Sequence, residues 1–549
     1  MIVRVRGIKL PLEHEYGDIQ KEAARRLQIK PGEIKALKLV KKAVDARRKT
    51  VSFTYTLDLE LGEEKFFSDE DIKNAEISVI EREHRKELKP GSLALIYSPL
   101  IIGSGPAGLF CALFLARNGY KPVIIERGQD MDRRIREVEK FWQEGKLNPK
   151  SNAQFGEGGA GTFSDGKLTT RIGDKRIDYV LESFVKHGAA QEILYLKKAH
   201  VGTDRIRQIV KSIRQEIMAL GGEFYFDACM TDIEVNKEGV KSIIINGEKV
   251  IPCSVLVLAV GNSARDVYRL LEKKGVDLLP KAFAVGCRIE HPQELIDRVQ
   301  YGDYAGHPQL GSADYHLTYQ DRQSGRSLYT FCMCPGGYVI GAASAEEHLL
   351  CNGMSYLARN SGVANCALIV TVSPADWNYK LLGGLEYQEE LETKAFWMGG
   401  GDYRAPAQYL GDFLARKKPV SLESSLATFK PGLKPAKLWQ LFPGEIAGVI
   451  DRGIRYWDTK MRGFNDDRAV LTGVETRTSA PLRIVRDESL CSPGINNLYP
   501  CGEGSGYAGG IMSSAVDGLK VAEEIISKYR KPDNKVEINI AAITNARNL

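Results

Sequence analysis

The chain has 549 residues, 43% of them hydrophobic and 27% charged, with a formal net charge of +6 at pH 7. That length exceeds one ordinary core and points to three or four domain-sized pieces. The balance is that of a soluble globular protein, the small charge excess does not by itself imply nucleic acid or a membrane as partner, and ten scattered cysteines without a C-x-x-C pair suggest neither a zinc ribbon nor a thioredoxin-type dithiol.

Residues 1–95 read as a small α+β module. Met1 to Leu10 alternates like a strand, Ile19 to Leu27 is helical with Ala23, Ala24 and Leu27 inward, and Ile34 to Val44 and Thr50 to Leu61 read as two more strands. Lys21 to Lys49 carries eleven Lys or Arg against three acids. Solvated faces explain that stretch, and nucleic acid is not an expected partner. Lys89-Pro90-Gly91-Ser92 is a boundary turn.

Next comes the most informative segment, Leu100-Ile101-Ile102 followed by Gly103-Ser104-Gly105-Pro106-Ala107-Gly108. A helix-like stretch and a second apolar run, Val123-Ile124-Ile125, lead to Glu126 and Arg127. This is the strand–turn–helix–strand–acid pattern of a dinucleotide-binding unit. Gly103 permits the tight turn, Gly105 lets backbone approach a pyrophosphate, and Gly108 lets helix and strand pack closely. The helix start at Pro106 and Ala107 presents free N–H groups to phosphates. Glu126 stands where a carboxylate accepts ribose hydroxyls.

Met131 to Trp142 reads as a charged helix. Five glycines lie between positions 156 and 166, and their aromatic flanks, Phe155 and Phe163, favour an ordered loop against a ligand. Gly158, Gly159, Ala160, Gly161, Thr162 and Lys167 are therefore expected at the cofactor. Asp204 to Leu220 reads as an amphipathic helix, and Glu223 to Val235 with Lys241 to Ile245 as a meander. Val255 to Val260 is a wholly apolar strand ending at Gly261, and the shape recurs at Leu498 to Gly502-Glu503, before Gly509-Gly510 and a helix from Ile511. The run from Pro99 to Ala116 contains too many glycines for a membrane span, so a soluble, cytoplasmic protein is expected.

A lone glycine fingerprint is weak evidence, but three such elements in this order resemble the FAD-binding domain of the glutathione-reductase-like flavoprotein superfamily. That resemblance implies FAD as cofactor, Glu503 on its midsection, and Gly510 and Ile511 aimed at the flavin ring. Phe155 to Leu168, Phe331 to Gly337, Asn352 to Tyr356, Gly473 to Pro481 and Tyr499 to Gly518 further resemble the bacterial FAD-dependent, or NAD(FAD)-utilizing, dehydrogenases, a largely uncharacterised group. Asn262 stands where that pattern has a histidine, and an amide does not titrate.

The expected fold is α/β. A discontinuous Rossmann-like FAD-binding domain (96–270 and 491–532) holds an inserted α+β substrate domain (271–490), with a tail at 533–549. The pocket for a small-molecule substrate belongs between the two domains. Asn378 to Pro419 reads as a lid or partner surface. Lys167, Glu290, His291 and Tyr507 are the candidate catalytic groups, Glu290-His291 as a carboxylate–imidazole relay. Cys332, Cys334 and Arg477 are candidate substrate contacts, the two cysteines sharing one face of a strand and Arg477 holding an anion or an internal salt bridge. No metal set is discernible. A second strand–G-x-G-x-x-G–helix unit is missing, so NAD(P)H would act as a transient co-substrate without its own domain. The leading expectation is an FAD-dependent oxidoreductase moving hydride between substrate and cofactor. A flavin monooxygenase and a flavin-containing binding or regulatory protein stand as alternatives.

Overall fold

The computed structural model describes residues 1–47, 49–62, 76–80, 88–419, 421–423 and 426–532. The expected tail at 533–549 lies outside them.

In the N-terminal module, β1 (Ile2–Leu10), β2 (Ile34–Asp45), β3 (Ser52–Leu61) and β4 (Ile77–Ile80) form one sheet in the order β2-β3-β1-β4. Inward positions alternate, so Val3, Val5, Phe53, Tyr55, Leu57 and Leu59 are buried. Against them α1 (Tyr16–Leu27) lays Ile19, Ala23, Ala24 and Leu27. Each fully buried large side chain of this kind contributes about 1.5–3 kcal/mol. The module docks on the next domain through β2, where Lys42 N donates to Tyr195 O at 2.7 Å and Lys197 N donates to Lys42 O at 2.9 Å.

The chain then enters β5 (Leu100–Ile102), α2 (Pro106–Arg117), β6 (Val123–Ile125), α3 (Met131–Glu144), α4 (Arg176–Lys186), α5 (Gly202–Ala219) and β7 (Glu223–Tyr225). A three-stranded meander follows, β8 (Met230–Asn236), β9 (Gly239–Ile245) and β10 (Lys249–Pro252), before β11 (Leu256–Leu258) and α6 (Arg265–Lys273). The expected meander thus begins at Met230. Glu223 to Tyr225 belongs instead to the parallel sheet, paired with β6, because Pro122 O receives Glu223 N and sets the parallel register.

Strand β12 (Leu278–Pro280) opens the inserted domain. It contains β13 (Phe283–Pro292), α7 (Gln293–Tyr301), β14 (Thr318–Gln320), β15 (Ser327–Cys334), β16 (Tyr338–Gly341), β17 (Cys351–Met354), β18 (Val363–Val372), α8 (Gly383–Met398), β19 (Ala405–Tyr409), α9 (Leu410–Leu414), β20 (Leu433–Pro435), α10 (Gly444–Asp458) and β21 (Val470–Glu475). Its seven-stranded sheet runs β14-β15-β18-β13-β21-β19-β20. Sandwiched between β18 and β21, β13 is buried from Phe283 to His291. Residues 378–419 form no lid: α8 buries Leu385, Leu391, Ala395 and Phe396, and β19 joins the sheet. Apolar spacing inside an otherwise Gly- and Trp-rich stretch drives that burial.

The chain returns through β22 (Leu482–Ile484), antiparallel to β12, then β23 (Leu498–Pro500) and α11 (Ile511–Lys528). With β23 the parallel sheet is complete, in the order β23-β11-β5-β6-β7. Helices α2 and α11 pack closely enough that a Cβ on Gly518 would lie 2.2 Å from Ala107 O. A Cβ on Gly108 would lie 2.0 Å from Gly103 O. Only glycine fits at either place.

Candidate functional site

The carboxyl ends of β5, β11 and β23 open into a cleft of about 410 Å³, walled on the far side by β15, β17 and β21. Its floor is largely backbone. Gly103 turns the chain with φ 102°. Gly105 caps α2 without a side-chain partner, so the first-turn N–H groups stay open to the cleft. Gly159 packs directly against Gly105 on the same side of the cleft, where a Cβ on Gly159 would come within 3.0 Å of Gly105 Cα. Gly103, Gly105, Pro106, Ala107, Glu126, Arg127, Gly159, Ala160, Gly161 and Lys167 all line the cleft, whereas Gly108, Gly158, Thr162 and Gly502 support it from behind.

The Glu126 carboxylate accepts Ser104 N at 2.9 Å and Ser104 Oγ at 2.7 Å on one oxygen, and Gly128 N and Gly156 N at 3.0 Å on the other. It welds the first turn to the glycine loop. Arg127 stacks its guanidinium 4.3 Å from the Phe155 ring and pairs with Asp266 at 3.0 Å.

One residue missed in the sequence holds that loop in shape. Arg134 of α3 is fully buried. Its Nη1 donates to Glu157 O (2.6 Å), Gly159 O (2.9 Å) and Thr162 Oγ1 (2.7 Å), and its Nε to Asn152 O (2.9 Å). Burial lowers its pKa to about 9, so the charge survives at neutral pH. Its only sequence signal is an arginine on the inward face of an amphipathic helix.

At the end of β11, Gly261 is followed by Asn262, whose Nδ2 donates to Glu503 Oε1 at 2.9 Å and to Arg477 O at 3.4 Å. Burial pushes the Glu503 carboxyl up to about 7, against the opposing effects of Asn262 and Lys281. Gly509, Gly510 and Ile511 complete this side, and Gly510 caps α11 with no side-chain partner. Two uncapped helix N-termini therefore face one cleft, each offering about half a positive charge.

The opposite wall is made of side chains. Arg288 of β13 holds Glu475 of β21 at 2.5 and 3.0 Å, Asn352 Oδ1 at 3.0 Å and Cys332 O at 2.8 Å. Burial opposes the Arg288 charge, but the carboxylate beside it outweighs that and raises its pKa. Arg477 pairs with Glu392 at 2.8 and 3.0 Å, and Arg265 reaches the same carboxylate at 2.8 Å. Despite burial, the two guanidiniums hold Glu392 well below the usual carboxylate range. Of the two expectations for Arg477, the internal salt bridge is the one present. Lys167 Nζ donates to Met333 O.

Cys332 and Cys334 both line the cleft, yet they do not share one regular strand face. A bulge between Phe331 and Cys334 breaks the alternation, and Cys332 takes a left-handed φ of 40°. Its thiol opens into the cleft while Cys334 is buried. Burial among protein atoms raises the Cys332 thiol to about 11, so it stays protonated. All ten cysteines are free thiols.

Three candidate catalytic groups are not brought to the cleft. Glu290 and His291 are wholly buried in β13, where consecutive side chains point to opposite faces. Glu290 accepts Thr428 N at 3.1 Å and Thr428 Oγ1 at 2.5 Å, whereas His291 Nε2 contacts Phe464 O at 2.8 Å. They form no relay. Tyr507 sits outside, between Arg483 and Arg486, and its hydroxyl accepts Arg486 N at 3.2 Å. Asn352 and Glu475 line the cleft unforeseen as site residues, although both lay in motifs quoted for the family resemblance. Among the described residues no cluster of His, Cys, Asp and Glu suits a metal ion, and no helix is long and apolar enough to cross a membrane.

Residues 282–478 match a family described as FAD-dependent protein, C-terminal domain-like. Residues 101–138 match an NAD(P)-binding Rossmann-like domain, and residues 1–60 a domain of unknown function. An uncharacterized protein of Clostridium beijerinckii is 46% identical over 538 residues, which is 97% of this chain and 100% of that one. Among solved structures, a mutant of the halogenase PltM in complex with FAD is 11% identical, covering 80% of this chain and 72% of that one, with a TM-score of 0.37. Glycine oxidase from Bacillus cereus is 13% identical over 79% and 98%, with a TM-score of 0.34. Both structural likenesses are remote.

The cleft fits FAD. The packed glycines at 105 and 159 present bare backbone to the cleft, where a side chain would stand in a ligand's way. The open N–H groups of α2 suit a diphosphate, and those of α11 suit an electron-rich ring edge. Glu503 takes a single side-chain hydrogen bond, from Asn262, and its raised pKa marks a carboxyl short of donors, which sugar hydroxyls would supply.

Proposed function

This chain belongs to the same family as its Clostridium beijerinckii relative, and residues 282–478 match the FAD-dependent protein, C-terminal domain-like family; from that premise we propose that it is an oxidoreductase moving hydride between a small molecule and FAD. The reading places it in the glutathione-reductase-like superfamily, with NAD(P)H as a transient reductant at the same cleft. When bound, FAD supplies the two-electron chemistry of hydride transfer.

One observation carries the reading. Gly510 and Ile511 at the start of α11 and Cys332, Glu475 and Arg477 of the inserted domain, the cap, line the same cavity. The helix end puts positive potential where negative charge would develop. The cap wall opposite it orients the second reactant, and the buried strands behind exclude water. Arg134 and Glu126 fix the glycine loop, so positioning costs no rearrangement during turnover.

Anaerobic titration of the purified holoprotein with NADH, NADPH and a metabolite panel tests this. Bleaching of the visible flavin absorbance by one donor, with stoichiometric oxidation of that donor, is expected. A flavin reduced by none of them, or NAD(P)H oxidation that requires oxygen and an aromatic substrate, would contradict hydride exchange as the activity.

A further inference from the structure

Where the inserted domain meets the glycine loop, the carboxylates that line the cleft are engaged by protein donors while other donors stay free. Both Glu475 oxygens are taken by Arg288. Both Asp165 oxygens are taken by Arg359, at 3.1 and 2.5 Å, with Ser355 Oγ on the first as well. The Cys332 carbonyl is held by Arg288 and the Met333 carbonyl by Lys167. Asn352 spends its Oδ1 on Arg288 Nη2 and on Gly353 N, which leaves its amide N–H groups for the cleft.

Charge follows the same pattern. Arg288 with Glu475 and Arg359 with Asp165 are neutral pairs. Arg477 and Arg265 share one carboxylate, Glu392, and so leave an excess positive charge. Arg265 lies 3.8 Å from Glu389, but Arg269 already holds that group at 2.8 Å. Lys167 is the sharpest case. It is half-buried, lines the cleft and gives one N–H to a neutral carbonyl. Among the described residues no carboxylate lies within ion-pair distance of it. A half-buried ammonium with spare donors is expensive to leave so, and a bound anion relieves that cost.

We propose that the substrate is a carboxylate-bearing small molecule, held through its carboxylate by Lys167 Nζ and the Asn352 amide, with its apolar body against Phe331, Leu350 and the Cys332 thiol. This rests on the flavoenzyme reading and names the substrate class of the same site. Arg477 contributes long-range positive potential rather than a direct contact, because its guanidinium is already bound to Glu392.

The test is binding to the FAD-loaded protein, read as perturbation of the visible flavin spectrum and as thermal shift. The probes are acetate, phenylacetate and benzoate, each beside its neutral amide. In the wild type at least one acid is expected to bind about 10- to 100-fold more tightly than its amide, the span of one charge-assisted hydrogen-bond site. Lys167→Met removes that preference, whereas Lys167→Arg retains it. Equal or absent binding of acids and amides across the panel overturns the proposal, as does a preference that survives in Lys167→Met. Because the readout is binding, a holoprotein that prefers acids yet is reduced by no donor contradicts hydride transfer and spares this inference. A flavin reduced efficiently by neutral substrates while acids show no preference does the reverse.

Discussion

The two walls of the cleft are built from different materials. On the Rossmann side the contact surface is backbone: packed glycines, two uncapped helix starts, and one carboxylate, Glu126, that welds turn to loop. On the cap side it is charged side chains locked to one another, Arg288 to Glu475 and Arg477 to Glu392. A backbone wall has little freedom to vary and suits a group that never changes. A side-chain wall is retuned by single substitutions and suits the group that distinguishes one enzyme from another.

The contrast between the walls can be broken most sharply at Glu392. Glu392→Gln strands two buried guanidiniums, and leaving such charges uncompensated costs about 3–5 kcal/mol. Chemical denaturation should show a loss of that size. On the other wall, Gly105→Val should spare the fold, because a Cβ there has its nearest neighbour at 3.8 Å. It should nonetheless lower FAD affinity by on the order of 100-fold, about 2.7 kcal/mol, measured by flavin fluorescence titration. A parallel collapse of apo-protein melting would show that the glycine serves packing instead of the cradle.

A smaller effect concerns pH. Burial pushes Glu290 up to about 8 from 4.5. A raised carboxyl pKa means the folded state binds the proton more tightly than the unfolded one. Its contribution is therefore fully present below pH 4.5 and is lost as pH rises through 8. Each tenfold gain in proton affinity corresponds to about 1.4 kcal/mol, so a few kcal/mol of stability should fade across that window. Glu290→Gln should flatten the decline, seen as cap-unfolding midpoints that no longer fall between about pH 5 and 8. The smallest effect is expected at Tyr507. Tyr507→Phe lies off the cleft and should leave FAD affinity within about twofold and stability within about 0.5 kcal/mol. A marked change in the flavin spectrum would place the hydroxyl nearer the ring than it stands here.

The same division decides what the sequence makes legible. Glycines at 103, 105, 159, 261 and 510 stand out because tight turns and backbone approach to a ligand leave other residues little place, and the short apolar strands before Gly103 and Gly261 announce a buried parallel sheet. The cap wall leaves no such trace. Arg288 meets Glu475 because β13 and β21 are neighbours in a sheet, and nothing local in either segment specifies that pairing. Glu290-His291 reads as a proton relay until β18 and β21 close over β13, although the apolar run from Phe283 to Cys287 hints at a central strand. Cys332 and Cys334 follow period-two logic, which a bulge overrules. Arg134 leaves only a faint trace, an arginine on the same face as Met131, Val138 and Phe141, and nothing local says which carbonyls it will hold.

The central claim is that three distant stretches, 103–108, 261–263 and 502–511, close on one FAD. Hydrogen exchange of the apo and FAD-loaded protein measures that directly. One FAD per chain is expected, with simultaneous protection of all three stretches together with the 156–162 loop. Protection limited to the first stretch, with exchange at 502–511 unchanged on loading, would contradict it.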